Sequence, residues 1–148
     1  MTTAPPGWYP DPTAPGTQRY WDGTQWSVAH PTPSACNWAM AAHLSALAAM
    51  WFALAFLGPL LVYLVKGNEH PYIREQSLEA LNFNLSFLLY GVVGGLVTVV
   101  LMIIVVGFLL LPLLILGAIT WFVFVIIGAV NASRGAAFRY PLTIRFIR

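Results

Sequence analysis

Glu75, Glu79, Asn82 and Ser86 recur at i, i+4, i+7 and i+11, a spacing that puts four polar side chains on one face of a helix. Two carboxylates on such a stripe could exchange protons or pair with arginines. With Asn84 close by, the stripe could also line a wet cavity or face other helices, because polar groups inside a membrane span need partners. His43, in Ala42-His43-Leu44-Ser45, is the second titratable candidate, either as a proton relay or as an imidazole held by hydrogen bonds near an interface. Glu69 and His70, taken with Glu75 and Glu79, match no metal-ligand spacing, so no metal is assigned. The chain has no Gly-x-Ser-x-Gly, no phosphate-cradling glycine loop and no Cys and His pair with a third member. No catalytic residue and no cofactor are therefore assigned, and a non-enzymatic protein is expected.

Those side chains must be positioned by elements that the composition already restricts. Only 8% of the 148 residues are charged while 59% are hydrophobic, against about 25% charged in soluble domains. An ordinary soluble globule and a disordered chain are both excluded. A net charge of +2 leaves no nucleic-acid footprint, and one cysteine, Cys36, excludes a disulfide framework. From Ala80 to Ser133 no residue is charged. As one helix that run would be about 80 Å long, whereas a bilayer core is about 30 Å thick, so it must fold back. Gly107 and Pro112 mark the place. With the uncharged stretch Leu44 to Val65, the expected spans are about 42–65, 82–106 and 111–132. Pro71 opens an amphipathic helix at the interface before the second span. The expected fold is an all-α integral membrane protein with three transmembrane helices plus that interfacial helix. Residues 1–34 form a small aromatic β-hairpin module and residues 35–148 the membrane domain.

Three spans would put Lys66, Arg74, Arg134, Arg139, Arg145 and Arg148 on one side and only Arg19 on the other. The positive-inside rule then predicts a cytoplasmic loop and C-terminus in the cell membrane, with the N-terminal module outside. In the tail, Arg134, Arg139, Arg145 and Arg148 alternate with apolar residues and are expected to face lipid phosphates at the interface. Small residues mark expected helix contacts: Ser45, Ala49 and Ala53, then Gly91 and Gly95, then Gly128 and Ala132. A three-span monomer has little interior, so the expected partners, besides the lipid bilayer, are other membrane proteins or a second copy.

Residues 1–34 hold seven of the eleven prolines and three of the six tryptophans. Asp22-Gly23 is a type I′ hairpin signal flanked by the strand formers Tyr20, Trp21 and Trp26, and Trp8 and Tyr9 are expected to fold over it as a third element. Two readings of these aromatics stand: a self-packed miniature core, or a surface that binds proline-rich or other peptides. Gly7-Trp8-Tyr9-Pro10-Asp11-Pro12 followed by Arg19-Tyr20-Trp21-Asp22-Gly23-Thr24-Gln25-Trp26 resembles a short bacterial domain of unknown function, found mostly in actinobacterial membrane proteins. That resemblance implies no particular activity.

Three further segments carry a second resemblance: Ala42-His43-Leu44-Ser45-Ala46, His70 through Asn84, and Arg139-Tyr140-Pro141-Leu142-Thr143-Ile144-Arg145-Phe146-Ile147. Over about residues 38–148 the chain resembles bacterial small membrane proteins of unknown function related to the twenty-kilodalton component of the chloroplast inner-envelope import translocon. The resemblance implies a multi-span helical protein that is channel-forming or part of a larger assembly. The chloroplast relatives have four spans, against three counted here. The expected function is a non-enzymatic subunit or accessory of a membrane assembly, with a transport or protein-translocation component as the alternative and a lipid-modifying enzyme as a third.

Overall fold

The computed structural model of the protein describes residues 4–49 and 54–147. It opens with a three-stranded antiparallel sheet in the order β1 (Gly7–Pro10), β2 (Thr17–Trp21), β3 (His30–Pro31). Aromatic residues suit a half-buried pleated surface, and Trp8 pairs directly with Tyr20 across β1 and β2. The turn at Asp22-Gly23 differs from the expected type I′. Trp21 bridges Trp26, so residues 22–25 form the loop, and of the two turn residues only Gly23 takes a positive φ, 104°. The Asp22 carboxylate explains the change: it accepts from the amides of Thr24 (2.6 Å) and Gln25 (2.7 Å), a side-chain turn that competes with the backbone one. Those amides and the Thr24 hydroxyl hold its pKa down at about 2.

Helix α1 (Pro33–Ala49) follows β3 almost without a break. Ala35, Ala39, Ala42 and Ala46 lie on one buried stripe, small enough for neighbouring helices to approach closely. Helix α2 (Leu57–Lys66) runs back along α1. Gly58 sits against Ser45, where a Cβ would overlap the serine, and the Lys66 ammonium lies 5.1 Å from the centre of the Trp38 ring. The single span expected over 42–65 is thus two antiparallel helices. α2 has 10 residues, about 15 Å of helix, half of what a bilayer core requires. An uncharged run reads the same straight or folded back on itself, and Gly58-Pro59 lets α2 start close against α1.

Helix α3 (Pro71–Met102) has 32 residues, about 48 Å. The His70 Nδ1 caps it by accepting from the Tyr72 amide at 3.0 Å, with Pro71 in the first turn. The interfacial helix expected from Pro71 is not a separate element: it forms the first turns of α3. The chain then reverses through Val105 at φ 68° and a 3₁₀ turn, Val106–Leu110. Gly107 is required there, because a Cβ would overlap the Thr98 carbonyl and the Met102 amide. Helix α4 (Leu111–Ser133) returns beside α3. Among the described residues two helices, not three, are long and apolar enough to cross a membrane: α3, and the unit Val106–Ser133. Only 11% and 6% of their most apolar windows are buried inside the protein, unlike the core helix of a soluble domain.

The module docks on the end of the bundle where α3 starts and α4 stops. The His30 ring nitrogens lie 2.9 Å from the Pro31 carbonyl oxygen and 3.0 Å from that of Arg134. Gly16 lies against the His70 ring so closely that a Cβ would overlap it, and Gly135 meets His30 in the same way. The module, the loop before Pro71 and the end of α4 therefore share one end of the molecule. An outer module with a cytoplasmic loop and tail does not fit these contacts. The reason is the α1 and α2 hairpin, which brings the chain back to the end from which it left.

Candidate functional site

The polar stripe of α3 is occupied by the C-terminal tail. Beyond α4 the chain passes Tyr140, turns at Leu142 with φ 58°, and runs back down α3. Tyr90 donates its hydroxyl to the Leu142 carbonyl at 2.9 Å. The Ile144 amide donates to Ser86 Oγ at 2.8 Å, and Ser86 donates to the Asn82 carbonyl one turn back at 2.7 Å. Asn82 pairs with the backbone of Ile147 from both ends of its amide, donating to the carbonyl at 2.8 Å and accepting from the amide at 3.0 Å. Arg145 donates twice to Glu79 Oε1, from Nε at 3.2 Å and Nη2 at 3.1 Å. The helix thus offers its side chains to tail backbone that no sheet or helix satisfies.

A second polar group closes the interior beside this seam. His43 Nδ1 on α1 lies 2.7 Å from the Tyr140 hydroxyl oxygen, and its Nε2 lies 3.3 Å from Gln76 Oε1 on α3. His43 and Gln76 are 0% exposed and Tyr140 is 3% exposed, so these bonds form away from solvent. Burial, and then the charge of Glu79, raise the Tyr140 pKa and keep the phenol protonated. Its ring stacks on Phe83 with centroids 3.9 Å apart. Gly128 of α4 faces this node, and a Cβ there would run into the Tyr140 hydroxyl and His43. Hydrogen bonds join α1, α3 and the tail in one knot, against which α4 packs through Gly128.

Other expected site residues lie elsewhere. Glu75 is exposed, and with Glu79, Arg139 and Arg145 it borders a hollow of about 230 Å³. Asn84 is buried, donating to the Ala80 carbonyl and accepting from the Trp121 indole at 2.9 Å. Arg134 meets the module through its carbonyl, Arg139 is exposed, and Arg145 binds Glu79 where a lipid phosphate was expected. Ser45 packs on Gly58, and Ala132 is buried against Cys36, Ala39 and Tyr72. Gly91 and Gly95 meet nothing: a Cβ on either would have open space around it. Gly91 borders an apolar cleft of about 570 Å³ lined by α3 and α4 with Ala55 and Phe56, and Asn84 and Trp121 are among its walls. Ala53 and Arg148 fall outside the described residues. In the module, the Trp26 ring lies 5.7 Å from Tyr9 and 5.0 Å from Trp21 between centroids, while Trp8 stands against Tyr20 at 5.5 Å.

Gln76, Tyr140, Tyr90 and Tyr72 are the site residues that sequence reasoning missed. Tyr72 donates its hydroxyl toward the carbonyls of Ala132 and Ala136, tying the start of α3 to the end of α4. Gln76 was legible as a polar residue one turn before Ala80, and Tyr140 as the single aromatic between Arg139 and Pro141.

Two apolar hairpin-forming helices, a polar knot at one end and a small aromatic sheet docked beside it define a helical membrane protein. The chain belongs to the MamF/MmsF family, the magnetosome magnetite crystal formation protein family, which it matches over residues 34–147. Residues 6–36 match a second model, a protein domain of unknown function. A small membrane-protein family behind an uncharacterised module agrees with what the motifs implied, whereas neither match relates the chain to an import translocon. No curated protein and no solved structure gives a significant match.

Proposed function

We propose that the protein is a multi-pass, non-enzymatic accessory of a membrane assembly, anchored by the α3 and α4 hairpin, with its module, loop and tail together on the cytoplasmic side. One observation carries the reading. Arg19, Lys66, Arg74, Arg134, Arg139 and Arg145 all belong to the end where His30 meets Arg134, while the reversal between α3 and α4 carries no charge. The positive-inside rule then favours a cytoplasmic module, the reverse of what three spans would give.

The family description names magnetite crystal formation. A membrane-accessory role fits this chain better than direct contact with a mineral. Asp11 pairs with Arg19, Glu69 with Lys66 and Glu79 with Arg145, and Asp22 is engaged by backbone amides. Among the described residues Glu75 alone of the five acids has no such partner, too little negative charge to hold an iron mineral surface. Assembly with a second membrane helix is supported by Gly91 and Gly95, whose open side would admit a close neighbour.

The test is thiol accessibility in a Cys36→Ala background. Cysteines at Pro15 and Ala137, both exposed, should react with an impermeant reagent only after lysis. Labelling of Pro15→Cys in intact cells would overturn the orientation. Mild-detergent purification should bring down a larger partner. A conducting component, as the translocon resemblance implies, would instead give ion or peptide flux in proteoliposomes of the purified protein, and none is expected.

A further inference from the structure

The module has two faces, and one of them holds the chain's own N-terminal segment as a peptide is held. Cross-strand pairing puts Tyr9, Arg19, Trp21 and Trp26 on one face and Trp8 and Tyr20 on the other. Trp8 stands against His30, 6.3 Å between ring centroids, and His30 meets Arg134 of the membrane domain. The Tyr9 face carries Ala4-Pro5-Pro6. There the Trp21 indole N–H donates to the Ala4 carbonyl at 3.0 Å, and the Tyr9 hydroxyl donates to the Pro5 carbonyl at 2.8 Å. The Pro6 ring comes within 3.8 Å of the position a Cβ would take on Gly23. Trp26 is 49% exposed beside them, its ring edge-on to Tyr9.

The two donors meet what an extended proline segment offers. Proline segments favour the polyproline II conformation, which leaves backbone carbonyls free because it has no internal hydrogen bonds. Aromatic grooves bind such segments by laying rings against the prolines and donating to those carbonyls. Here both donors read backbone oxygen and neither reads a side chain of the segment, so any segment of the same shape would satisfy them. We propose that the face formed by Tyr9, Trp21 and Trp26 is a binding groove for proline-rich segments of partner proteins, and that Ala4-Pro5-Pro6 is a resident such a segment must displace. A tethered resident competes at high effective concentration, so affinity in trans is lowered by the fraction of time the groove is filled. This goes beyond the membrane-accessory reading and does not depend on it.

The test uses the full chain in detergent and a synthetic peptide, acetyl-Thr-Thr-Ala-Pro-Pro-Gly-amide, with a second peptide carrying alanine at both prolines as control. The readout is the Trp21 indole N–H resonance. In a Pro5→Ser, Pro6→Ser variant it should move from its native position and return on addition of the proline peptide but not of the control. That variant should bind the peptide about tenfold more tightly than the unaltered chain. A variant that stays folded yet does not bind would overturn the proposal. So would one whose sheet resonances are lost and not restored by peptide, since the prolines would then be a structural brace alone. Trp21→Phe keeps a ring and removes the donor. In the Pro5→Ser, Pro6→Ser background it should weaken peptide binding at least tenfold with the sheet intact, and unchanged binding would equally sink the idea.

Discussion

Gly128 and Gly91 look alike in sequence, each a glycine in an apolar helix with a small residue four positions on, yet they live in opposite surroundings. Gly128 is pressed against Tyr140 and His43, where hydrogen bonds join α1, α3 and the tail. Gly91 faces open space on the outer arm of α3, where Val92, Val93, Leu96 and Val97 are all exposed. A small residue in a membrane helix therefore has two uses: to admit the chain's own polar closure, or to leave room for something else. Spacing alone does not separate them.

The sharpest way to break this contrast is Gly128→Val. A branched side chain would displace the Tyr140 hydroxyl and His43 together, and a loss of more than about 3 kcal/mol is expected, seen as lost accumulation of monodisperse protein by fluorescence-detected size exclusion. Tyr140→Phe keeps the stack on Phe83 but leaves the buried His43 Nδ1 without its hydrogen-bond partner, costing about 1–3 kcal/mol in a detergent melting assay. Asn82→Ala removes both bonds to Ile147 and should cost about 1–2 kcal/mol while releasing the tail, read as faster amide exchange at Ile144 and Ile147. Gly91→Val, by contrast, should change melting by less than about 0.5 kcal/mol and act instead on assembly size in native gels. Equal melting losses for Gly128→Val and Gly91→Val would erase the distinction.

The smallest expected effect concerns the module. Asp22 has a pKa of about 2 in the folded turn, below the ordinary 3.8, so its bonds to Thr24 and Gln25 add stability above that ordinary value. The contribution fades as pH falls toward 2. Faster exchange of the Gln25 amide between pH 4 and about pH 2, absent in Asp22→Asn, would measure it.

The polar stripe on α3 was legible because a 3.6-residue period survives whatever the surroundings. Its occupant was not, because Asn82 and Ser86 bind backbone atoms of Ile147 and Ile144, and backbone looks the same at every position. The apolar runs announced a membrane protein, and the turn near Gly107 was read from glycine and proline alone. The run through Leu44 to Val65 misled for the same reason that it informed: hydropathy records what a segment can be buried in, not which way it runs. One crossing would put the module at the end of the molecule opposite the loop before Pro71, whereas the α1 and α2 hairpin brings the two together. A second alanine seam, Ala35 through Ala46, is not legible in the sequence, because residues as common as alanine stand out only against a packed neighbour.

The join between sheet and helix has a mechanical consequence. β3 ends at Pro31 and α1 begins at Pro33, and His30 fastens the same spot to the end of α4. The aromatic sheet is thus a bracket and not a tether, with no length of chain on which to swing. Whatever it grips would be held at one height and one angle over the bilayer.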